Sequence, residues 1–285
     1  MRFSVVLVNY ESWPLTLRCL ESIAATGYED FEVVVVDNEG KEGGPAPDLP
    51  PTARVIRNPT NVGFARACNT GIADSGGEYL ILINPDTTVE PEFFSHLERF
   101  LENKTDVGIV GPKILDTDGA VQLSARREVG FVSGVFGRTS FLTRLFPDSA
   151  VVRRLFPAVG SPQKPTEVDW VSGACMVVRK AMLEEIGGMD PRFFMYFEDG
   201  DLCRRARAAG LRVLYLPEVE VTHEAGGSSR SSLEAVWRLH KSAFLYHRKH
   251  GPRGPLGLYS IPVLAGLSAR ALAKLVADYL GKPRS

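Results

Sequence analysis

The sequence is poor in the residues that build staples and metal clusters. Its 285 residues include four cysteines, Cys19, Cys68, Cys175 and Cys203, and five histidines. The cysteines lie far apart with no CxxC pair, which argues against a zinc ribbon or a disulfide framework and fits a reducing compartment. No GxxxxGK[ST] loop occurs, and the first strand–helix junction reads Asn9-Tyr10-Glu11-Ser12. It lacks the glycines that let a dinucleotide pyrophosphate approach the backbone. P-loop NTPase and Rossmann dehydrogenase chemistry are excluded, and so is a pyrophosphorylase with a Gly-rich, Arg-containing loop. Long apolar runs are missing too. The longest uncharged run, Gly254 to Ala269, has 16 residues and contains Pro255 and Pro262, against about 20 apolar residues for a membrane-spanning helix. After Val5 to Val8 the chain turns polar, so no signal peptide is expected.

What is present has an ordinary globular balance, 44% hydrophobic and 24% charged, which excludes wholesale disorder. The net charge of −1 conceals an asymmetry. Arg126 to Lys164 holds seven basic and two acidic residues, and Ala225 to Ser285 holds ten and two. The rest keeps 16 basic residues against 30 acidic ones. An acidic body with two basic segments suggests a cation site in the first and an anionic partner for the others. No recognition motif for nucleic acid accompanies the basic residues.

Strand and helix alternate in the first half. Short apolar runs at Phe3 to Val8, Phe31 to Val36, Arg54 to Arg57, Tyr79 to Ile83 and Val107 to Val110 read as strands. Helices are expected from Ser12, the cap, with Pro14 in the first turn, then over Val62 to Ala73 and Pro91 to Glu102. This order means a parallel sheet with helices on both faces and ligands beyond the carboxyl ends of the strands. Asp37, Asn58 and Asp86 follow strand ends and should share one rim. Further on, Val168 to Arg179 reads as one strand, and a helix starts near Glu198 and stops at Gly210. Two short strands (Arg212 to Leu216, Val219 to Thr222) and a helix over Ser231 to Lys249 follow. Ser268 to Leu280 is amphipathic, with Leu272, Leu275, Val276 and Tyr279 opposite Arg270, Lys274 and Asp278.

Each polar candidate has a structural alternative. Asp37 can cap a turn or accept the imide N–H of uracil or thymine. Asp86 can cap the following helix or serve Mg²⁺ or Mn²⁺, hard cations held by one or two carboxylates plus substrate phosphates. Glu198, Asp199 and Asp201 open a helix, where acids suit the macrodipole, and Asp201–Arg205 has salt-bridge spacing. That leaves Phe193, Phe194, Tyr196 and Phe197 unexplained. An aromatic wall there would exclude water and raise a carboxyl pKa towards that of a general base. His223 can be a core histidine or a metal ligand.

The ordered set is more specific than its members. Asn9-Tyr10, Val36-Asp37-Asn38, Asn58 to Asn69 with Asn61, Gly63 and Arg66, Asn84-Pro85-Asp86, Trp170 to Ala174 and Glu198-Asp199-Gly200-Asp201 occur in that order. This resembles family 2 of the inverting glycosyltransferases, in its bacterial rhamnosyltransferase-type subgroup, over Phe3 to Glu224. The resemblance implies an α/β A-type glycosyltransferase fold, a Rossmann-like mostly parallel sheet flanked by helices. It implies a catalytic domain over 1–224; composition marks 126–164 within it as a basic and aromatic insertion, and the tail, outside the resemblance, reads as a helical basic C-terminal extension over 225–285. It places Asn9, Asp37, Asn38, Asn61, Gly63, Arg66 and Asn84 at a nucleotide diphosphate sugar donor, dTDP- or UDP-linked. Trp170, Gly173 and Ala174 fall beside the acceptor. Asp86 and His223 become ligands of Mg²⁺ or Mn²⁺, and Asp199, flanked by Glu198, the base. Asn84 stands where many members have a first Asp, which weakens the expected metal site. The basic, phenylalanine-rich segment and the basic tail with its amphipathic helix point to a lipid-linked acceptor met by a peripheral protein at the inner face of the cytoplasmic membrane, in cell-envelope polysaccharide synthesis, with a homodimer left open. A catalytically silent sugar-nucleotide-binding protein and a membrane-surface adaptor stay open as alternatives.

Overall fold

A computed structural model describes residues 1–39, 46–127, 145, 149–160, 162–224 and 233–251. Most of the segment 126–164 and the whole amphipathic stretch 268–280 lie outside the described residues. The expected early strands form as β1 (Phe3–Asn9), β2 (Phe31–Asp37), β3 (Ala53–Arg57) and β4 (Tyr79–Ile83). Between them run α1 (Trp13–Ala24) and α2 (Phe64–Ala73). β5 (Thr87–Val89), α3 (Phe93–Leu101), β6 (Val107–Leu115) and β7 (Ala125–Arg126) follow. After α4 (Ala150–Leu155) come β8 (Thr166–Glu167), β9 (Trp170–Val171), β10 (Cys175–Arg179) and α5 (Lys180–Ile186). α6 (Glu198–Ala208), β11 (Arg212–His223) and α7 (Leu233–His250) complete the described chain.

The main sheet runs β3-β2-β1-β4-β10-β6-β11-β5, with β8 paired on β11. It is mostly parallel, but β10 lies antiparallel between β4 and β6, and β5 is antiparallel to β11. On one side α1 and α3, the latter through Phe93, Phe94 and Leu97, pack against Phe3 and Phe31 of the sheet. The other packs α2, α5 and α6 against Val6, Val34, Leu80, Met176 and Tyr215. Burial on both faces explains why these strands read as unbroken β-branched runs.

Several local expectations change. Val168 to Arg179 is two strands, because Ser172-Gly173-Ala174 turns the chain between β9 and β10. The two strands expected after Arg212 are one, with the register shifting between Leu216 and Glu220, so Pro217 sits in an irregularity rather than at an end. β6 continues through Gly111 and Pro112 to Leu115. Ser12 occupies the N-cap position of α1 without a side-chain cap. Its hydroxyl instead donates to Asn9 Oδ1 at 3.1 Å.

Gly71 tests the packing of α2 on the sheet. A Cβ there would lie 2.5 Å from Val6 Cγ1 and 3.0 Å from Val36 Cγ2. Alanine gains roughly 1 kcal/mol of helix propensity over glycine, whereas overpacking a close-packed core costs about 1–3 kcal/mol. Gly71→Ala is therefore expected to lower the chemical-denaturation midpoint, and Val6→Ala in the same chain to restore part of the loss. A midpoint raised by Gly71→Ala would show that the helix lifts off the sheet without cost.

Candidate active site

The carboxyl ends of β1, β2 and β3 form one polar row. The parallel register sets Asn9 beside Asp37 and Asp37 beside Arg57. Asn9 and Asp37 are both fully buried, so each needs partners. Asp37 Oδ2 accepts from Arg57 Nε at 2.8 Å, with Nη2 also at 2.8 Å. Asp37 Oδ1 accepts the Glu39 N–H at 3.2 Å. Asn9 Oδ1 accepts from Thr16 as well as Ser12, and its Nδ2 donates to Glu39 Oε1 at 2.9 Å. Asn38 joins this row to the next loop: its Nδ2 donates to Asn61 Oδ1, and its Oδ1 accepts from Asn58 Nδ2 and the Val62 N–H. Gly63 follows at φ 87, where a Cβ would stand 2.7 Å from the Phe194 carbonyl oxygen. Only glycine fits that approach. Arg66 is exposed in the first turn of α2.

At the end of β4, the Asn84 N–H and the Thr87 hydroxyl both donate to the Ala174 carbonyl, at 2.9 and 3.3 Å. Asp86 does not cap α3, because β5 intervenes. It faces His223 across the sheet edge, Oδ1 to Nε2 at 3.2 Å, with 1% of its side chain exposed. Gln122 decides the tautomer. Its Nε2 donates to Asp116 Oδ1 and to the His223 carbonyl, which leaves its Oε1 as acceptor 3.1 Å from His223 Nδ1. Nδ1 therefore carries a hydrogen, and Nε2 is the ring nitrogen that faces the Asp86 carboxylate, with its lone pair when it bears no proton. Two lone pairs in one gap require a shared proton or a cation. The pair thus fits a divalent ion whose remaining ligands are phosphate and water oxygens. Among the described residues no cluster of three or more His, Cys, Asp or Glu side chains is arranged to hold a metal.

Glu198 and Asp199 open α6 but meet different surroundings. Glu198 is buried, and Oε2 has no hydrogen-bond partner. Loss of solvent, and then the neighbouring Asp199 charge, push its carboxyl well above the usual range. Asp199 is half-buried. Its Oδ2 accepts the Gly173 N–H at 2.9 Å and its Oδ1 the Gly200 N–H at 2.8 Å. The aromatics before α6 pack towards α2 and α7, Phe194 on Gly63 and Arg238, and Phe197 on Tyr246, and the carboxyl that burial drives towards neutrality is Glu198.

The segment entering α6 is strained, with Tyr196 at φ 70 and Phe197 at φ 66. Left-handed non-glycine residues cost of order 1–3 kcal/mol each and persist where their surroundings hold them. α7 supplies the hold. Ser242 donates to the Met195 carbonyl at 2.7 Å, and Arg238 lies over the Phe194 ring. Tyr246 joins Trp170 and Phe197 in an aromatic trio, and Arg126 covers Trp170 at 4.6 Å. Lys249 and His250 reach buried Asp201 at 2.5 and 2.6 Å, alongside the expected Arg205 pair at 2.8 Å.

Two groupings result. The donor candidates Asn9, Asp37, Asn38, Asn61 and Gly63 form one hydrogen-bonded and packed arrangement, and Asp86 and His223 form another at the opposite side of β4. Gly173 and Ala174 connect Asp199 to Asn84. Arg57, Gln122 and the α7 residues were not singled out from the sequence. Arg57 alone carried a signal, ending the strand beside Asp37.

A family model described as glycosyltransferase like family 2 matches residues 1–242, reaching into α7. The chain is similar to N-acetylglucosaminyl-diphospho-decaprenol L-rhamnosyltransferase of Mycobacterium tuberculosis, 30% identical over 261 residues, covering 85% of this chain and 82% of that one. It is similar to dTDP-rhamnosyl transferase RfbF of Shigella flexneri, 23% identical over 212 residues, covering 67% and 62%. A mannosyltransferase from Pyrobaculum calidifontis, solved with GDP-Man and Mn²⁺, shares the fold at a TM-score of 0.59 and 19% identity, covering 99% of this chain and 76% of that one. S. aureus TarS 1–349 with UDP-GlcNAc does so at 0.55 and 17%, covering 96% and 73%. The architecture is the A-type glycosyltransferase fold.

The Glu198 environment has a pH consequence. Its folded pKa lies above the unfolded value, so its stabilisation is complete below the unfolded pKa, about 4.3, and fades as pH rises through the folded one. Glutamine cannot ionise. The melting temperature of Glu198→Gln minus that of wild type is expected to grow as pH is raised from 5 to 9 in differential scanning calorimetry. A difference that is flat or shrinks over that range would mean Glu198 is ionised in the folded protein.

Proposed function

The chain belongs to glycosyltransferase family 2, and on that premise we propose that it moves a sugar from a nucleotide diphosphate to a hydroxyl with inversion at the anomeric carbon. The observation that carries this reading is the contrast within the acid pair. A base must reach the proton it takes; Asp199 is open on one side and oriented by two backbone N–H groups, whereas Glu198 is sealed in. In this reading Asp199 removes the acceptor's proton as its oxygen attacks the anomeric carbon, and the nucleoside diphosphate leaves from the opposite face. One base suffices for single displacement, with no carboxylate nucleophile 5–5.5 Å from an acid as in roughly the retaining geometry of glycosidases.

The donor's base is assigned to the row Asn9, Asp37 and Asn38, and its diphosphate to the neighbourhood of Asn84 and Arg66. Asp86 and His223 would hold Mg²⁺ or Mn²⁺, which supplies Lewis-acid neutralisation of charge on the leaving diphosphate when bound. The neighbour solved with Mn²⁺ supports that use of a metal. The relatives' names favour rhamnose as the sugar and a polyprenyl diphosphate-linked saccharide as the acceptor. Among the described residues no helix is long and apolar enough to cross a membrane. Arg126, Arg238 and Lys249 are engaged within the molecule; the remaining basic residues of 126–164 and 225–285 are assigned to peripheral contact with the anionic cytoplasmic face, where each Lys or Arg contributes about 1 kcal/mol.

Asp199→Asn is expected to lower kcat by about 10²–10⁴-fold, the usual worth of a general base, while UDP or dTDP affinity stays within a factor of about two, well under the 1.4 kcal/mol of a tenfold change. Glu198→Gln should keep most of the turnover, since it copies a neutral carboxyl. Nucleoside diphosphate release measures both, and the reverse pattern would make Glu198 the base. Asp86→Ala should abolish the extra thermal stabilisation that Mn²⁺ gives the donor complex. A donor-induced shift that is indifferent to chelator in wild type would refute the metal assignment.

A further inference from the structure

Asp37, assigned above to the donor's base, has no exposed side-chain surface. Its two oxygens meet Arg57 and the backbone N–H of Glu39. The Glu39 N–H donates to Asp37 Oδ1 at 3.2 Å, while Glu39 Oε1 accepts from Asn9 Nδ2 at 2.9 Å and from the Glu11 N–H at 2.7 Å. Glu39 thus offers the row one N–H and one oxygen with two lone pairs. The edge of uracil or thymine offers the same pair, a ring N–H next to a carbonyl; guanine offers it too, whereas cytosine presents a ring acceptor in place of the N–H.

The backbone around the contact is unusual. Glu11 stands at φ 50 in the left-handed region, which aims its N–H at the carboxylate and is costly for a residue with a side chain. Asn9 cannot relax away, because Ser12 and Thr16 hold its Oδ1 and thereby fix its amide orientation. Arg57 likewise pins Asp37 Oδ2 and leaves Oδ1 as the oxygen that meets an incoming N–H. Two donors and one acceptor are therefore built rigidly; the donors meet the side chain and the acceptor the backbone N–H of one half-buried loop residue, Glu39.

We propose that Glu39 is an internal stand-in for the donor's base, and that it sets donor affinity by having to leave before the base can bind. The inference rests on the assignment of Asp37 to base recognition. Binding exchanges the Glu39 N–H for the ring N–H at Asp37 Oδ1, and Glu39 Oε1 for the base carbonyl at Asn9 and Glu11. The net gain from donor is then the difference between two similar sets of hydrogen bonds, smaller than the second set alone would provide.

The test is isothermal titration of the full chain with UDP and with CDP. Glu39→Ala is expected to tighten UDP about 5–20-fold, on a scale where 1.4 kcal/mol is tenfold. Glu39→Gln, which keeps the shape but not the charge, should tighten it less. CDP should stay weak in both variants. A lesion of structure would weaken UDP, so the sign of the change separates the two accounts. If Glu39→Ala and Glu39→Gln bind UDP no tighter than wild type while Asp37→Asn binds it much more weakly, base recognition stands and the stand-in role is overturned. If Asp37→Asn leaves both the UDP affinity and the preference over CDP unchanged, the base assignment itself fails, and the stand-in role with it.

Discussion

The reversed strand β10 is the constraint on which the site depends. It enters the sheet antiparallel between β4 and β6, with Cys175 opposite Ile83. Its first residues therefore lie at the carboxyl end of β4, where the parallel strands deliver their polar termini. The turn before it, Ser172-Gly173-Ala174, is thereby fixed beside Asn84. One carbonyl, that of Ala174, ties down Asn84 and Thr87; the adjacent N–H, that of Gly173, orients Asp199. Had this strand run parallel, the turn would sit at the opposite end of the sheet, and it would bridge neither Asn84 nor Asp199.

Around that junction the molecule accepts local costs that packing elsewhere offsets. Glu198 is a buried acid with an unpartnered oxygen, and Tyr196 and Phe197 hold left-handed backbone. These residues are held from two sides. The Gly63 corner of α2 meets Phe194, with the Phe64 N–H donating to its carbonyl at 2.6 Å. From the other side α7 adds Ser242, Tyr246, Lys249 and His250. Among the acids that open α6, Asp201 is thus paired by Lys249 and His250 of α7, which makes α7 part of the surroundings of Asp199.

Much of this was legible in the sequence, for identifiable reasons. Strands buried on both faces leave continuous β-branched runs, and Asp37, Asn84 and Asp86 stand where such runs stop abruptly. Strand direction was not legible, since an apolar run such as Cys175 to Val178 reads alike either way. The three residues of β5 are too few for a periodic signal, and Pro217 marks a strand end by rule although here it occupies a bulge. The acid pair was visible as a pair. Which member is sealed depends on how α6 is rotated towards α2, and no local pattern carries that. Gln122 and Glu39 act through distant partners, 101 and 30 residues away for His223 and Asn9, so nothing adjacent in the chain marks them.

The central claim is that the acceptor oxygen, deprotonated by Asp199, displaces the nucleoside diphosphate in one step. The anomeric configuration of the product tests it most directly, read from the one-bond carbon–hydrogen coupling at the new linkage by NMR, with the donor's configuration as reference. Single displacement predicts an inverted centre in every product molecule. A product that keeps the donor's configuration would contradict the account, because retention requires two displacements or a front-face path that one base at this position does not provide.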